Sequence, residues 1–154
     1  MKRTEVFAAV LMILMIIFGA AAAEETDGWI MCQPDSEVNI RHRPDMQSEV
    51  VAWGWMGQRI TLDGKKSGKW LHCTGLGEYG EGWIRGDYVS LEEPENGGIY
   101  ETTRNKVCVR ASAGGKVIRR LSAGTRVTVF MWTSEWCVTD PGFISADYLE
   151  EVSE

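Results

Sequence analysis

Apolar and polar positions alternate along this chain in short runs broken by turn residues. Ile60-Thr61-Leu62 and Val127-Thr128-Val129-Phe130 alternate or run in β-branched side chains, the pattern of strands with one face against a core. Turn signals recur between such runs, at Arg43-Pro44-Asp45, Asp63-Gly64, Ser67-Gly68, Gly75 to Gly82, Ala113-Gly114-Gly115 and Asp140-Pro141-Gly142. After residue 23 no window offers a helical period with caps. The expectation is an all-β protein of many short strands joined by glycine turns, built as a small barrel or sandwich.

The pattern occurs twice. Gly82-Trp83-Ile84-Arg85-Gly86-Asp87-Tyr88-Val89 is echoed by Gly142-Phe143-Ile144-Ser145-Ala146-Asp147-Tyr148-Leu149. Upstream, Val38-Asn39-Ile40-Arg41 answers Val107-Cys108-Val109-Arg110, and Gly57, Arg59 and Ile60-Thr61-Leu62 answer Gly124, Arg126 and Val127-Thr128-Val129. Trp70 answers Trp136. The first copy is longer by nine residues, six of them between Cys73 and Gly82, against the tight Thr139-Asp140-Pro141-Gly142 turn. Turns on a shared scaffold tolerate such length changes. A repeat of this size predicts two small units, 28–90 and 99–152, joined by a linker at 91–98 where Glu-Glu-Pro-Glu-Asn-Gly-Gly combines charge, Pro and paired Gly.

Residues 1–23 stand outside this pattern. Lys2 and Arg3 precede an uncharged apolar run from Val6 that ends in Ala21-Ala22-Ala23, which reads as a secretory signal peptide. The alternative is an uncleaved membrane anchor; the small residues at the end of the run favour cleavage and an exported, extracytoplasmic protein. Removing 1–23 leaves 14 basic and 21 acidic side chains. So acidic a balance disfavours nucleic acid and anionic membranes as partners.

Export makes disulfides available to units too small to bury a large core. Cys32, Cys73, Cys108 and Cys137 lack the C-x-x-C or C-x-x-H spacing of structural zinc sites, so no metal or other cofactor is expected. Of the three possible pairings the repeat favours closure within each copy, Cys32–Cys73 and Cys108–Cys137. His72 adjoins Cys73, but neighbours in a strand point to opposite faces and cannot form a nucleophile–base dyad. The chain contains only His42 and His72, and neither sits in a recognisable nucleophile setting. No catalytic constellation is found, and the expectation is a protein without enzymatic activity.

The repeated elements, aliphatic-Asn-aliphatic-Arg at Val38 to Arg41, an aliphatic pair, Gly before an alternating strand, a Trp strand, and Gly-aromatic-Ile-x-x-x-Tyr, resemble the bacterial Src-homology-3-like (SH3b) domain. The resemblance covers both copies. It implies two SH3-like β-barrels in tandem, exported and binding bacterial cell-wall or other extracytoplasmic ligands. This sequence departs from that pattern in two places. Cys108 stands where the first copy keeps Asn39, and Gly54, flanked by Trp53 and Trp55, stands where the second copy has Leu121. Either one of those tryptophans tips inward to refill the core, or both lie outward as an aromatic shelf.

Aromatics matched between copies, such as Trp70 with Trp136 and Trp83 with Phe143, read as packing. Trp53, Trp55 and Trp132 are unmatched and are the better candidates for ligand contact. Glu78 and Tyr79 join them from the first copy's long loop. The function expected is recognition of a wall glycan or peptide through exposed aromatics. The alternative is an adaptor that binds a peptide segment of another exported protein. Neither the ligand nor the oligomeric state is specified by these residues.

Overall fold

A computed structural model describes residues 23–152; the expected signal peptide, apart from Ala23, lies outside the described residues. The first unit contains β1 (Thr26–Ile30), β2 (Glu37–Arg41), β3 (Val50–Trp55), β4 (Arg59–Ser67), β5 (Trp70–Thr74), β6 (Gly82–Arg85) and β7 (Val89–Ser90). The second contains β8 (Glu95–Thr102), β9 (Val107–Arg110), β10 (Val117–Leu121), β11 (Arg126–Trp132), β12 (Trp136–Thr139), β13 (Phe143–Ser145) and β14 (Leu149–Glu151). Among the described residues the only helical pieces are single 3-10 turns at Gly77–Tyr79, Gly86–Tyr88 and Ala146–Tyr148. The chain is all-β.

Each unit is a seven-stranded antiparallel sheet, and the two sheets share one strand order: β3-β2-β6-β5-β4-β1-β7 and β10-β9-β13-β12-β11-β8-β14. The expected barrels are not closed by hydrogen bonds, because β3 and β7, like β10 and β14, remain separate edges. The repeat extends to single bonds. The carbonyls of Tyr88 and Tyr148 accept from Met31 and Thr103 at 2.8 and 3.0 Å. Gly57 and Gly124, at φ +80° and +74°, donate to Ile30 and Thr102, both at 2.8 Å. That backbone conformation is open to glycine and strained for other residues. Arg41 and Arg110 each donate a guanidinium hydrogen bond to a carbonyl of the following hairpin, Ser48 O at 2.6 Å and Gly115 O at 2.7 Å.

Alternation fills each core. Val38 and Ile40 point inward from β2 while Glu37 and Asn39 point outward, and Val107 and Val109 do the same from β9. The copies differ where the sequence predicted a difficulty. Opposite Val38 sits Gly54, and opposite Val107 sits Leu121. A Cβ on Gly54 would lie 2.1 Å from Ile30 Cδ1, so Ile30 occupies the space that Leu121 fills in the other half. The second copy places Thr102 at the position of Ile30 and ties its hydroxyl to Ser122 O at 2.6 Å. A large–small pair has been exchanged for a small–large one, and core volume is kept. Neither tryptophan is needed inside.

Two expectations are corrected. The linker is shorter than 91–98, because Glu95–Gly98 form the first half of β8 and pair with β11 as far as Glu95↔Trp132. Gly97 is there for close approach: a Cβ on it would sit 1.9 Å from Val129 O. The two halves share buried contacts. Met31 from the first and Met131, Val138 and Phe143 from the second form a third buried cluster, flanked by Tyr88 and Trp136. Finally, all four cysteines are free thiols. Cys108 and Cys137 lie on opposite sides of their sheet, since Cys137 packs with Val107 and Val109 while Cys108 takes the other face of β9. The pleat forbids that bridge. Cys32 and Cys73 share the first core without being bridged. Burial raises the Cys32 thiol pKa and pushes those of Cys73 and Cys137 up to about 12.

Candidate binding surface

Among the described residues, strand β3 is an edge strand, paired only with β2. With Ala52 and Gly54 turned to the core, Trp53 and Trp55 share the outer face and are 50% and 58% exposed. Their cross-strand partners are Asn39 and Glu37. Those two residues also line a groove of about 300 Å³, with Met46, Trp70 and Arg85 on its walls. Arg85 lies 5.8 Å from the Trp70 ring centroid and is anchored by Asp87 at 3.0 Å. Gln33 lines the same groove, and its side-chain Nε2 is buried without a hydrogen-bond partner among the described residues. A buried donor left unpaired costs about 1–3 kcal/mol, which a ligand carbonyl or hydroxyl would relieve.

The other candidates lie elsewhere. Glu78 and Tyr79 are exposed on the 3-10 turn of the β5–β6 loop, which is closed by the Gly80 N–H donating to Gly77 O at 3.2 Å. No ring contact joins Tyr79 to the β3 tryptophans. Trp132 is half-buried, stacked on Tyr100 at 5.0 Å between centroids and 17° between planes, and packs against the second core. It is a packing residue despite having no counterpart in the first copy. Sequence reading missed Met46, Asn39 and Gln33. Exposed methionine beside a turn was the one available signal.

Beneath the β5–β6 loop lies a polar cluster. His72 is buried edge-on to Trp83, 4.8 Å between centroids, and its Nδ1 is 2.8 Å from Asp63 Oδ2. Cys73 projects from the opposite face, as expected. Partial burial of the Asp63 carboxyl opposes its ionisation. Hydrogen bonds from the Lys65 side chain and backbone and from His72 outweigh that effect and hold its pKa at about 2. The folded value lies below the ordinary 3.8, so this contribution to stability is complete above 3.8 and lost as pH falls toward about 2. Asp63→Asn is expected to lower the melting temperature by several degrees at pH 7 and to close the gap with the wild type near pH 2. Circular dichroism melts across that range check it. A difference that does not shrink with acid would refute the assignment.

No family model matches this chain. No curated protein matches it either. Solved structures that align with it include NlpC1 and NlpC2 from Trichomonas vaginalis, each at 16% identity, with TM-scores of 0.37 and 0.34. They cover 86% and 84% of this chain, which spans about half of each of theirs, 48% and 49%. Superposition that loose carries no functional argument.

Proposed function

We propose that the chain is a tandem pair of SH3-like modules acting as an exported, non-catalytic unit that binds a bacterial cell-wall glycan or peptide. The observation that carries this reading is the pair Trp53 and Trp55, exposed side by side on an edge strand and bordering the groove of Asn39, Met46 and Trp70. Two flat apolar rings beside amide groups suit a sugar ring or an extended peptide, which offers an apolar face and polar edges. The identical strand order of the halves and the matched tyrosine turns support the SH3-like assignment. His72 is committed to Asp63 and faces away from Cys73, which supports a binding role over catalysis.

Pull-down on purified sacculi tests it. Trp53→Ala with Trp55→Ala is expected to weaken wall binding by roughly 10–100-fold, as truncation of aromatic anchors does. The melting temperature should barely move, because both rings are exposed. No enrichment on sacculi over an unrelated acidic protein would remove the reading. A second reading is favoured by the free edge of β3, where a peptide of another exported protein could add as a strand. Crosslinking in cells to one protein, with no retention on purified wall, would select it.

A further inference from the structure

The acidic balance of the whole chain conceals a strong segregation of charge. Between Thr102 and Ser134 there are seven Lys and Arg side chains and no Asp or Glu, although the full chain is at −6. Arg126 pairs with Glu101 at 3.9 Å. The other six, Arg104, Lys106, Arg110, Lys116, Arg119 and Arg120, form no ion pair among the described residues. The fold gathers several of them. Arg104, Lys106 and Arg110 line a groove of about 300 Å³ with Cys108, Trp136 and Tyr148. Arg120 is the cross-strand partner of Cys108 and so shares its face at the groove's rim. Two of the guanidiniums are held in place, Arg104 over the Tyr148 ring at 3.8 Å and Arg110 on Gly115 O at 2.7 Å.

We propose that this face of the second module is a separate binding site for an anionic glycopolymer carrying phosphate on its repeating units. Unpaired cations spread from a groove onto an adjoining strand match a row of anions better than a single one. The acidic remainder of the molecule repels such a polymer everywhere else and orients it on this end. Single-stranded nucleic acid fits less well. Its binding sites stack successive bases on several open rings, whereas here Arg104 covers Tyr148 and leaves Trp136 as the groove's other ring. The choice of a glycan rests on the wall-binding reading, but the site is distinct from the Trp53–Trp55 shelf.

The test uses purified protein and three probes: poly(glycerol phosphate), sacculi stripped of anionic polymer, and a single-stranded DNA oligonucleotide of matched charge. Arg104→Gln, Lys106→Gln and Arg120→Gln are combined in one variant, which spares the turn-anchoring Arg110. A control combines Arg43→Gln, Lys66→Gln and Lys69→Gln, changing net charge equally in the first module. Affinity for poly(glycerol phosphate) is expected to fall at least about tenfold in the first variant and less than about twofold in the control. The slope of log affinity against log salt should flatten by about 2–3, one contact of roughly 0.7–0.9 for each cation removed. Trp53→Ala with Trp55→Ala should leave this probe's binding unchanged while reducing retention on stripped sacculi. Equal losses in both charge variants, no binding of the polymer, or DNA bound as tightly as the polymer would each overturn the proposal. Failure on stripped sacculi alone would instead remove the aromatic-shelf reading.

Discussion

Gly97→Ala is expected to destabilise the protein by about 3 kcal/mol or more, although the change adds one methyl group to a strand. The added Cβ would lie 1.9 Å from Val129 O and 2.4 Å from Val129 C, and these are backbone atoms of β11 rather than the ends of flexible side chains. Relief requires β8 to move away from β11, and β8–β11 is the longest pairing in the second sheet, running from Arg126↔Glu101 to Trp132↔Glu95. The neighbouring glycine supplies the control. A Cβ on Gly98 meets only Tyr100 Cε2 at 3.6 Å, ordinary contact, so Gly98→Ala should cost about 1 kcal/mol or less. Urea unfolding followed by tryptophan fluorescence measures both. Equal effects at the two positions would show that the close crossing at Gly97 is wrong.

Phe143→Ala should cost about 3–5 kcal/mol and, in addition, loosen the two halves from each other. Phe143 is 1% exposed and packs with Met31, Met131 and Val138 in the cluster that bridges the halves. Its counterpart in the repeat, Trp83, is half-buried against His72 on the outer face of the first sheet. Trp83→Ala is therefore expected to cost less, despite removing a larger side chain. Calorimetry should show the wild type unfolding in one transition and Phe143→Ala in two, because the shared cluster is what couples the sheets. A single transition in the variant would locate the coupling elsewhere, in contacts such as Ser112 Oγ to Asp87 at 3.1 Å.

Much of the fold was readable before any coordinates, for a definite reason. Val38, Ile40, Val107 and Val109 lie on core faces because a strand has a period of two, and that period is written into consecutive residues. The duplicated Gly-aromatic-Ile-x-x-x-Tyr segment became the same strand and 3-10 turn twice, because local backbone preferences and the tyrosine carbonyl's partner recur together. The misreadings share a cause as well. Asn96-Gly97-Gly98 carries the composition of a turn, yet Gly97 is required by the backbone of a strand more than thirty residues away. Trp132 was singled out because the first copy lacks it, but its stacking partner Tyr100 is equally distant in sequence. The Cys108–Cys137 bridge was inferred from membership of one copy, while the pleat assigns the two thiols to opposite faces.

What the amino-acid order determined by itself was the all-β character, the doubling and the inward positions, since each depends on neighbours within a few residues. Tertiary structure alone decided that Ile30 fills the space above Gly54 and so leaves Trp53 and Trp55 outside. It also decided that a third cluster fastens the halves together, and that Arg104, Lys106 and Arg110 meet around one groove. These outcomes depend on which strands lie side by side, and packing between distant segments is a property of the assembled sheets rather than of any local stretch of chain.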